Sequence, residues 1–275
     1  MALPEPFFLP TSRGRRFCIR YAPASAAARL GAIVYVHPFA DEMNKSRRMA
    51  ALQARALADA GWTVLQLDLF GCGDSEGHFG QADWQQWRSD VIDAAAWLRE
   101  QTGIRPSLWG LRAGCLLACD VAKDLEPAPN LLFWQPVVTG RLFLQQFLRL
   151  KVASQLFGDS SPERVGTSQL HDQLVRGLTV DIAGYALSPG LALGLGAAEL
   201  VSPVAPARVA WLEVSPQVPA ALSPAAEARI QSWRTAGHHI AAKAVPGAAF
   251  WQTQEIAECP ELIEATLAAV ADWRA

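Results

Sequence analysis

A short apolar run, Ser107-Leu108-Trp109, enters the turn Gly110-Leu111-Arg112-Ala113-Gly114 and leaves it on the helix-forming stretch Cys115-Leu116-Leu117-Ala118. A strand, a tight turn and a helix compressed into so few residues leave the backbone few solutions. Glycine on either side lets strand and helix approach closely, and lifts the central residue to the helix N-terminus. The spacing is that of the Gly-x-Ser-x-Gly nucleophile elbow, with arginine in the place of serine. A guanidinium stays protonated at any ordinary pH and cannot attack a carbonyl. Arg112 is also a cation at the positive end of a helix dipole. It needs a carboxylate or phosphate beside it, from the protein or from a ligand.

The rest of the chain supplies a sheet for such an elbow. Ala32 to Val36, Thr63 to Asp68, Leu131 to Pro136, Val209 to Ser215 and Ile240 to Val245 are short apolar runs of buried-strand type. Arg16 to Tyr21 alternates like a half-exposed strand. Helices are predicted from Ser46 to Ala60, Asp83 to Gln101, Ala113 to Lys123, Ala225 to Ala236 and Pro260 to Trp273. In the second of these Trp84, Trp87, Val91, Ala94, Ala95 and Leu98 share one face. Strand and helix alternate, so the class is α/β, with a mostly parallel sheet flanked by helices and right-handed crossovers. The 275 residues suit one domain of this kind, 1–275. One insertion, 139–206, breaks the rhythm. It reads as a helical cap, with an apolar-basic helix from Arg141 to Phe157 and weaker helices at Leu170 to Val180 and Tyr185 to Leu200. Insertions there lie over the carboxyl ends of the strands, where ligands bind.

The stretch after the Ala32 to Val36 strand holds His37-Pro38-Phe39-Ala40-Asp41-Glu42. Glu42 is the candidate internal partner of Arg112, unless a bound anion takes that role. Catalytic candidates are therefore Arg112, Glu42 and His37, the last two as bases for a water. Ligand contacts are predicted at Arg112 and Ala113 on the elbow, at Phe39, and at Phe250 and Trp251 after the last strand. Asp68 to Gly77 is chiefly a structural loop, in which a catalytic role for Ser75 is minor, and His78 just beyond it reads as a loop histidine. In the α/β hydrolase fold, to which these elements point, nucleophile, acid and histidine follow in that order. The acid's place, Ser215 to Ser223, contains no carboxylate, and the histidine's place holds Phe250 and Trp251. All three triad positions read as vacant. Cys115, one helical turn beyond the elbow, reads as a small core residue, and His171 as a surface residue of the cap.

A net charge of −2 gives no nucleic-acid footprint. The five cysteines form no CxxC pair, so neither a disulfide framework nor a metal site is expected, and no cofactor motif is present. The apolar stretch Ala186 to Val201 is too interrupted to span a bilayer. No leader pattern opens the chain, and a cytoplasmic location is expected.

Four segments carry a family resemblance: His37 to Met49, Leu67 to Ser75, Trp109 to Gly114 and Phe250 to Glu255. Together they resemble the exosortase A system-associated hydrolase 2 family, an α/β hydrolase group encoded beside exosortase and exopolysaccharide genes in Gram-negative bacteria. The resemblance implies that the arginine elbow is a family trait. It also implies partners among the proteins of such loci. Three functions follow as expectations: an ester or thioester hydrolase or acyltransferase working through Arg112 and Glu42 or His37; a non-catalytic binder of an anionic acyl or lipid-like small molecule; or a scaffold that docks partners through Arg141 to Lys151.

Overall fold

The computed structural model describes residues 3–25, 30–157 and 165–273. Residues 158–164 of the insertion lie outside the described residues, as do Met1 and Ala2. The chain runs β1 (Pro4–Thr11), β2 (Gly14–Tyr21), β3 (Gly31–Val36), α1 (Asp41–Asp59), β4 (Trp62–Leu67), α2 (Trp84–Thr102), β5 (Ser107–Leu111), α3 (Ala113–Val121) and β6 (Leu131–Trp134). It continues through α4 (Gly140–Phe157), α5 (Thr167–Val175), β7 (Val180–Ile182), β8 (Tyr185–Leu187) and α6 (Pro189–Ala197). The last elements are β9 (Arg208–Ser215), α7 (Pro224–Thr235), β10 (His239–Pro246) and α8 (Pro260–Val270).

Eight strands form one sheet in the order β1-β2-β4-β3-β5-β6-β9-β10. From β4 to β10 neighbouring strands are parallel, while β2 pairs antiparallel with both β1 and β4. The sheet is buried on both faces. Met49, Leu57, Leu262 and Ala265 of α1 and α8 cover one; Trp87, Leu98, Leu116 and Trp233 of α2, α3 and α7 cover the other. Burial on both faces is why the central strands read as continuous apolar runs. The register sets Val36 against Gly110 and Leu111 against Trp134. The loops leaving β3, β5 and β6 therefore rise side by side from the carboxyl ends.

Three features depart from the sequence reading. β1 was not predicted, because Pro4, Pro6 and Pro10 argue against a strand. It lies at the sheet edge, where a missing N–H is tolerated. α1 starts at Asp41, five residues before the predicted Ser46, so Glu42 sits in a helix's first turn. The insertion keeps both expected helices in shorter form, α5 and α6, and places a hairpin between them: Ala183 (φ 48°) and Gly184 (φ 84°) turn β7 into β8, the two positive φ values of a type I′ connection. Ser188 then caps α6 by accepting the Leu191 N–H at 3.1 Å, with Pro189 in the first turn. Phe143 and Phe147 of α4 pack edge-on against Phe39, centroids 5.9 and 5.1 Å away. This sets α4 beside the carboxyl end of β3. Among the described residues no helix is long and apolar enough to cross a membrane.

Candidate functional site

Arg112 stands between β5 and α3 with φ 55° and ψ −121°, a strained conformation for a residue with a side chain. Backbone bonds on both sides hold it there: its N–H donates to Trp134 O at 2.9 Å, and its carbonyl accepts the Cys115 N–H at 3.0 Å. The flanking glycines are obligatory. A Cβ on Gly114 would lie 2.3 Å from Val36 O, and one on Gly110 would lie 2.6 Å from the Cys115 backbone. Ala40, which leads β3 into α1, takes nearly the same strained angles, φ 51° and ψ −127°. Two helices thus start side by side above the sheet. Glu42 in the first turn of α1 complements that helix dipole, whereas Arg112 at the start of α3 opposes its own.

The two side chains meet. Arg112 Nε–H donates to Glu42 Oε1 at 3.2 Å, and each side chain is 16% exposed. The contact is a single, end-on bond, short of the two parallel bonds an arginine fork can make. Glu42 Oε2 is buried and has no hydrogen-bond partner among the described residues. Burial pushes the Glu42 carboxyl above its ordinary range, against the pull of Arg112 and a weaker one from Gln252. Aromatic faces flank the guanidinium, with Cζ 5.5 Å from the Trp251 centroid and 5.8 Å from that of Phe143, within cation–π range.

This group opens on a cavity of about 350 Å³, walled by Phe39, Glu42, Lys45, Arg112, Phe147 and Trp251 among others. Its size is at the small end of ligand pockets. Lys45 pairs with Asp41 at 2.8 Å on the same rim. A second cavity of about 380 Å³ lies within the insertion, lined by Arg141, Leu144, His171 and Leu193. It shares no lining residue with the first, so the elbow chemistry belongs to the smaller one.

Several predicted site residues stand elsewhere. His37 is buried with both ring nitrogens committed: Nδ1 lies 2.7 Å from Pro38 O, and Nε2 accepts the Leu69 N–H at 3.2 Å. Burial lowers its pKa, and it holds the loop after β4 in its neutral form. It is not part of the cavity wall, so it is not placed to activate a water there. Ala113 is buried beneath the elbow, and Phe250 is fully buried against Trp134 and Trp251; neither lines the cavity. Phe39 and Trp251 do. Phe143, Phe147 and Lys45 escaped the sequence reading. α4 was recognised as apolar-basic, but nothing in it marks which apolar face turns inward.

The segments after β9 and β10 and the loop after β4 carry further contacts. Trp251, after β10, faces Arg112. Glu213, inside β9, was not singled out. It is buried and accepts from Trp211 Nε1–H at 3.1 Å and from the Ser223 N–H at 2.8 Å, and so anchors the start of α7. Ser75 accepts the Phe17 N–H at 2.9 Å and donates to the Asp68 carbonyl, a loop tie. Burial raises the Cys115 thiol well above its ordinary pKa, which keeps it from forming a thiolate. Among the described residues no cluster of histidine, cysteine and carboxylate side chains could hold a metal.

The sheet order, the helices on both faces and the strained turn between β5 and α3 define an α/β hydrolase fold. Solved structures agree over nearly the whole chain. Est1E from Butyrivibrio proteoclasticus with ferulic acid bound superposes with a TM-score of 0.70 at 14% identity, covering 97% of this chain and 100% of that one. XC6422 from Xanthomonas campestris, an α/β serine hydrolase without a lid, gives a TM-score of 0.58 at 17% identity over 98% and 95% of the two chains. In sequence, residues 20–141 match the X-Pro dipeptidyl-peptidase (S15) family. Human protein ABHD12B is 35% identical over 95 residues, which span 34% of this chain and 25% of that protein.

Proposed function

We propose that the cavity beside Arg112 holds an anionic acyl or lipid-like molecule, with its head group on the guanidinium and its apolar part against Phe39, Phe143, Phe147 and Trp251. The observation that carries this reading is the half-used arginine fork: Nε–H is bonded to Glu42 while the side chain lines an aromatic-walled cavity. Ferulic acid bound to Est1E, a carboxylate on an aromatic body, supports this ligand class. On this reading residues 139–206 form a cap over the site within a single domain of 1–275, and the triad is replaced by a binding apparatus. The resemblance to exosortase A system-associated hydrolase 2 supports a role beside exopolysaccharide proteins.

Isothermal titration with octanoate and ferulate tests it. Wild type binds, and Arg112→Ala binds at least about tenfold more weakly, the value of one charge-assisted contact. Heat and thermal shift both silent for octanoate, ferulate and octyl phosphate would overturn it.

A second reading, hydrolysis, is favoured by one observation. Glu42 combines a raised pKa with an unpartnered Oε2, as suits a general base. It would take a proton from a water attacking an ester or thioester carbonyl polarised by Arg112. Turnover of p-nitrophenyl esters or acyl thioesters that disappears in Glu42→Gln supports this reading. Equal silence of both proteins across the panel rejects it.

A further inference from the structure

We propose that Glu42 is the internal placeholder of the Arg112 site, and that an anionic head group binds there together with one proton taken up at Glu42 Oε2. This rests on the anion-binding reading above and adds its regulation.

The inference follows from the charges around the cavity. The side facing α1 and the elbow supplies two anions, Asp41 and Glu42, and two cations, Lys45 and Arg112. They are already paired, Lys45 with Asp41 and Arg112 with Glu42. α4 contributes Phe143, Gln146, Phe147 and Leu150, and the segment after β10 contributes Trp251 and Gln252, none of them charged. The resting wall is therefore neutral. A monoanion added to it leaves one negative charge without a partner among aromatic side chains, where such a charge is costly.

A proton removes that cost, and Glu42 is the group placed to accept it. The Asp41 carboxylate is 58% exposed and screened by water, whereas Glu42 is 16% exposed. Burial already holds Glu42 above the ordinary carboxylate range. Its Oε2 has no partner among the described residues. The proton comes from solvent and adds to Oε2, no other bond is broken, and the new O–H donates to the incoming oxyanion. Arg112, relieved of its internal counter-charge, then faces the ligand with its full charge.

The sign of the pH effect follows. The bound anion raises the Glu42 pKa further. Between the free and bound values affinity strengthens as pH falls, by up to about tenfold per unit for one proton. Below the free value Glu42 is already neutral and affinity levels off at its strongest. Above the bound value it levels off at its weakest.

Octyl sulfate is the probe, because it stays ionised throughout and any proton must go to the protein. Titration calorimetry from pH 5 to 9, in two amine buffers of different ionisation enthalpy, reads affinity and proton count together. Wild type should take up close to one proton within the window. Glu42→Gln should bind independently of pH, and about tenfold or more tightly than wild type at the alkaline end. Arg112→Ala should lose binding at every pH. Octyl sulfate binding that is flat with pH and free of proton uptake, or uptake that persists in Glu42→Gln, overturns the placeholder and leaves the anion site standing. Failure of both wild type and Glu42→Gln to bind octyl sulfate overturns the anion site itself. If Glu42→Gln does not fold, the wild-type proton count decides alone.

Discussion

Trp251 lies over the guanidinium of Arg112, with the ring centroid 5.5 Å from Cζ. One residue ends the turn from β5 into α3, and the other follows β10. In an α/β hydrolase these are the stations of nucleophile and histidine. In this chain the two residues are a cation and an aromatic face, an attraction of about 0.5–2 kcal/mol depending on desolvation. The two side chains fit each other: serine would gain nothing from an indole, and histidine would be repelled, once protonated, by arginine.

Restoring the nucleophile alone should therefore restore no chemistry. In Arg112→Ser the new hydroxyl would face the Trp251 ring, with no imidazole to take its proton. We expect turnover of p-nitrophenyl acetate by purified Arg112→Ser at the level of wild type. A rate at least about a hundredfold above it, the usual worth of a general base, would place a base within reach of residue 112 from another element.

The elbow was legible because its glycines are dictated by backbone contact, and its partner Glu42 because a cation at a helix N-terminus demands a carboxylate. The remaining walls depended on packing. α4 exposes Leu142 and Leu150 and buries Phe143 and Phe147, so its apolar pattern alone does not select the face that meets Phe39. Phe250 and Trp251 are adjacent, and only the path of the chain after β10 sends one into the core and the other over Arg112. His37 looked catalytic by position, but its two nitrogens answer to Pro38, its neighbour in the chain, and to Leu69, which no local pattern brings near it. β1 was hidden by prolines that only an edge strand accommodates.

Gly114→Ala should destabilise the fold while leaving the cavity residues unaltered in type. The added methyl meets Val36 O at 2.3 Å and His37 O at 2.6 Å, both backbone atoms that cannot step aside. Overpacking of this kind costs about 1–3 kcal/mol. Equilibrium urea unfolding should show a lower midpoint with the same slope. An unchanged midpoint would mean that the approach of α3 to β3 is looser than described.

Stability should fall as pH is lowered through the histidine range. His37 and His238 are both buried and held neutral, and burial lowers the pKa of each. His238 accepts the Ala207 N–H at 3.2 Å and contacts Ser202 Oγ at 2.6 Å. Their unfolded pKa is about 6.5, so below that the unfolded chain binds protons that the folded one refuses. Each histidine then removes up to about 1.4 kcal/mol per pH unit until its folded pKa is reached. Urea unfolding at pH 7.5 and 5.5 should show the loss, and His238→Gln should reduce it. Equal stability of wild type at the two pH values would show that both rings protonate inside the fold.

Arg16 of β2 and Asp90 of α2 form an ion pair with no exposed side-chain surface, Nε to Oδ1 at 2.8 Å. Each charge is further satisfied. Arg16 donates to the Arg13 carbonyl at 3.1 Å and lies 5.0 Å from the Phe70 ring, while Asp90 accepts from Gln86 Nε2 at 2.9 Å and from the Phe70 N–H at 2.8 Å. Burial still pushes the Asp90 carboxyl upward against those bonds, and a pair buried this deeply is expected to give little net stability, because taking both charges out of water offsets their attraction. Removing one member is another matter. Asp90→Ala leaves a guanidinium buried without a counter-charge and the Phe70 N–H without its acceptor. It should cost about 3–5 kcal/mol. Replacing both, Arg16→Met with Asp90→Leu, removes the two desolvation penalties together and should cost clearly less than Asp90→Ala alone. Urea unfolding of the two variants decides it. A double variant as damaged as the single one would show that the pair stabilises the fold through its attraction, and that the contact between β2 and α2 depends on charge.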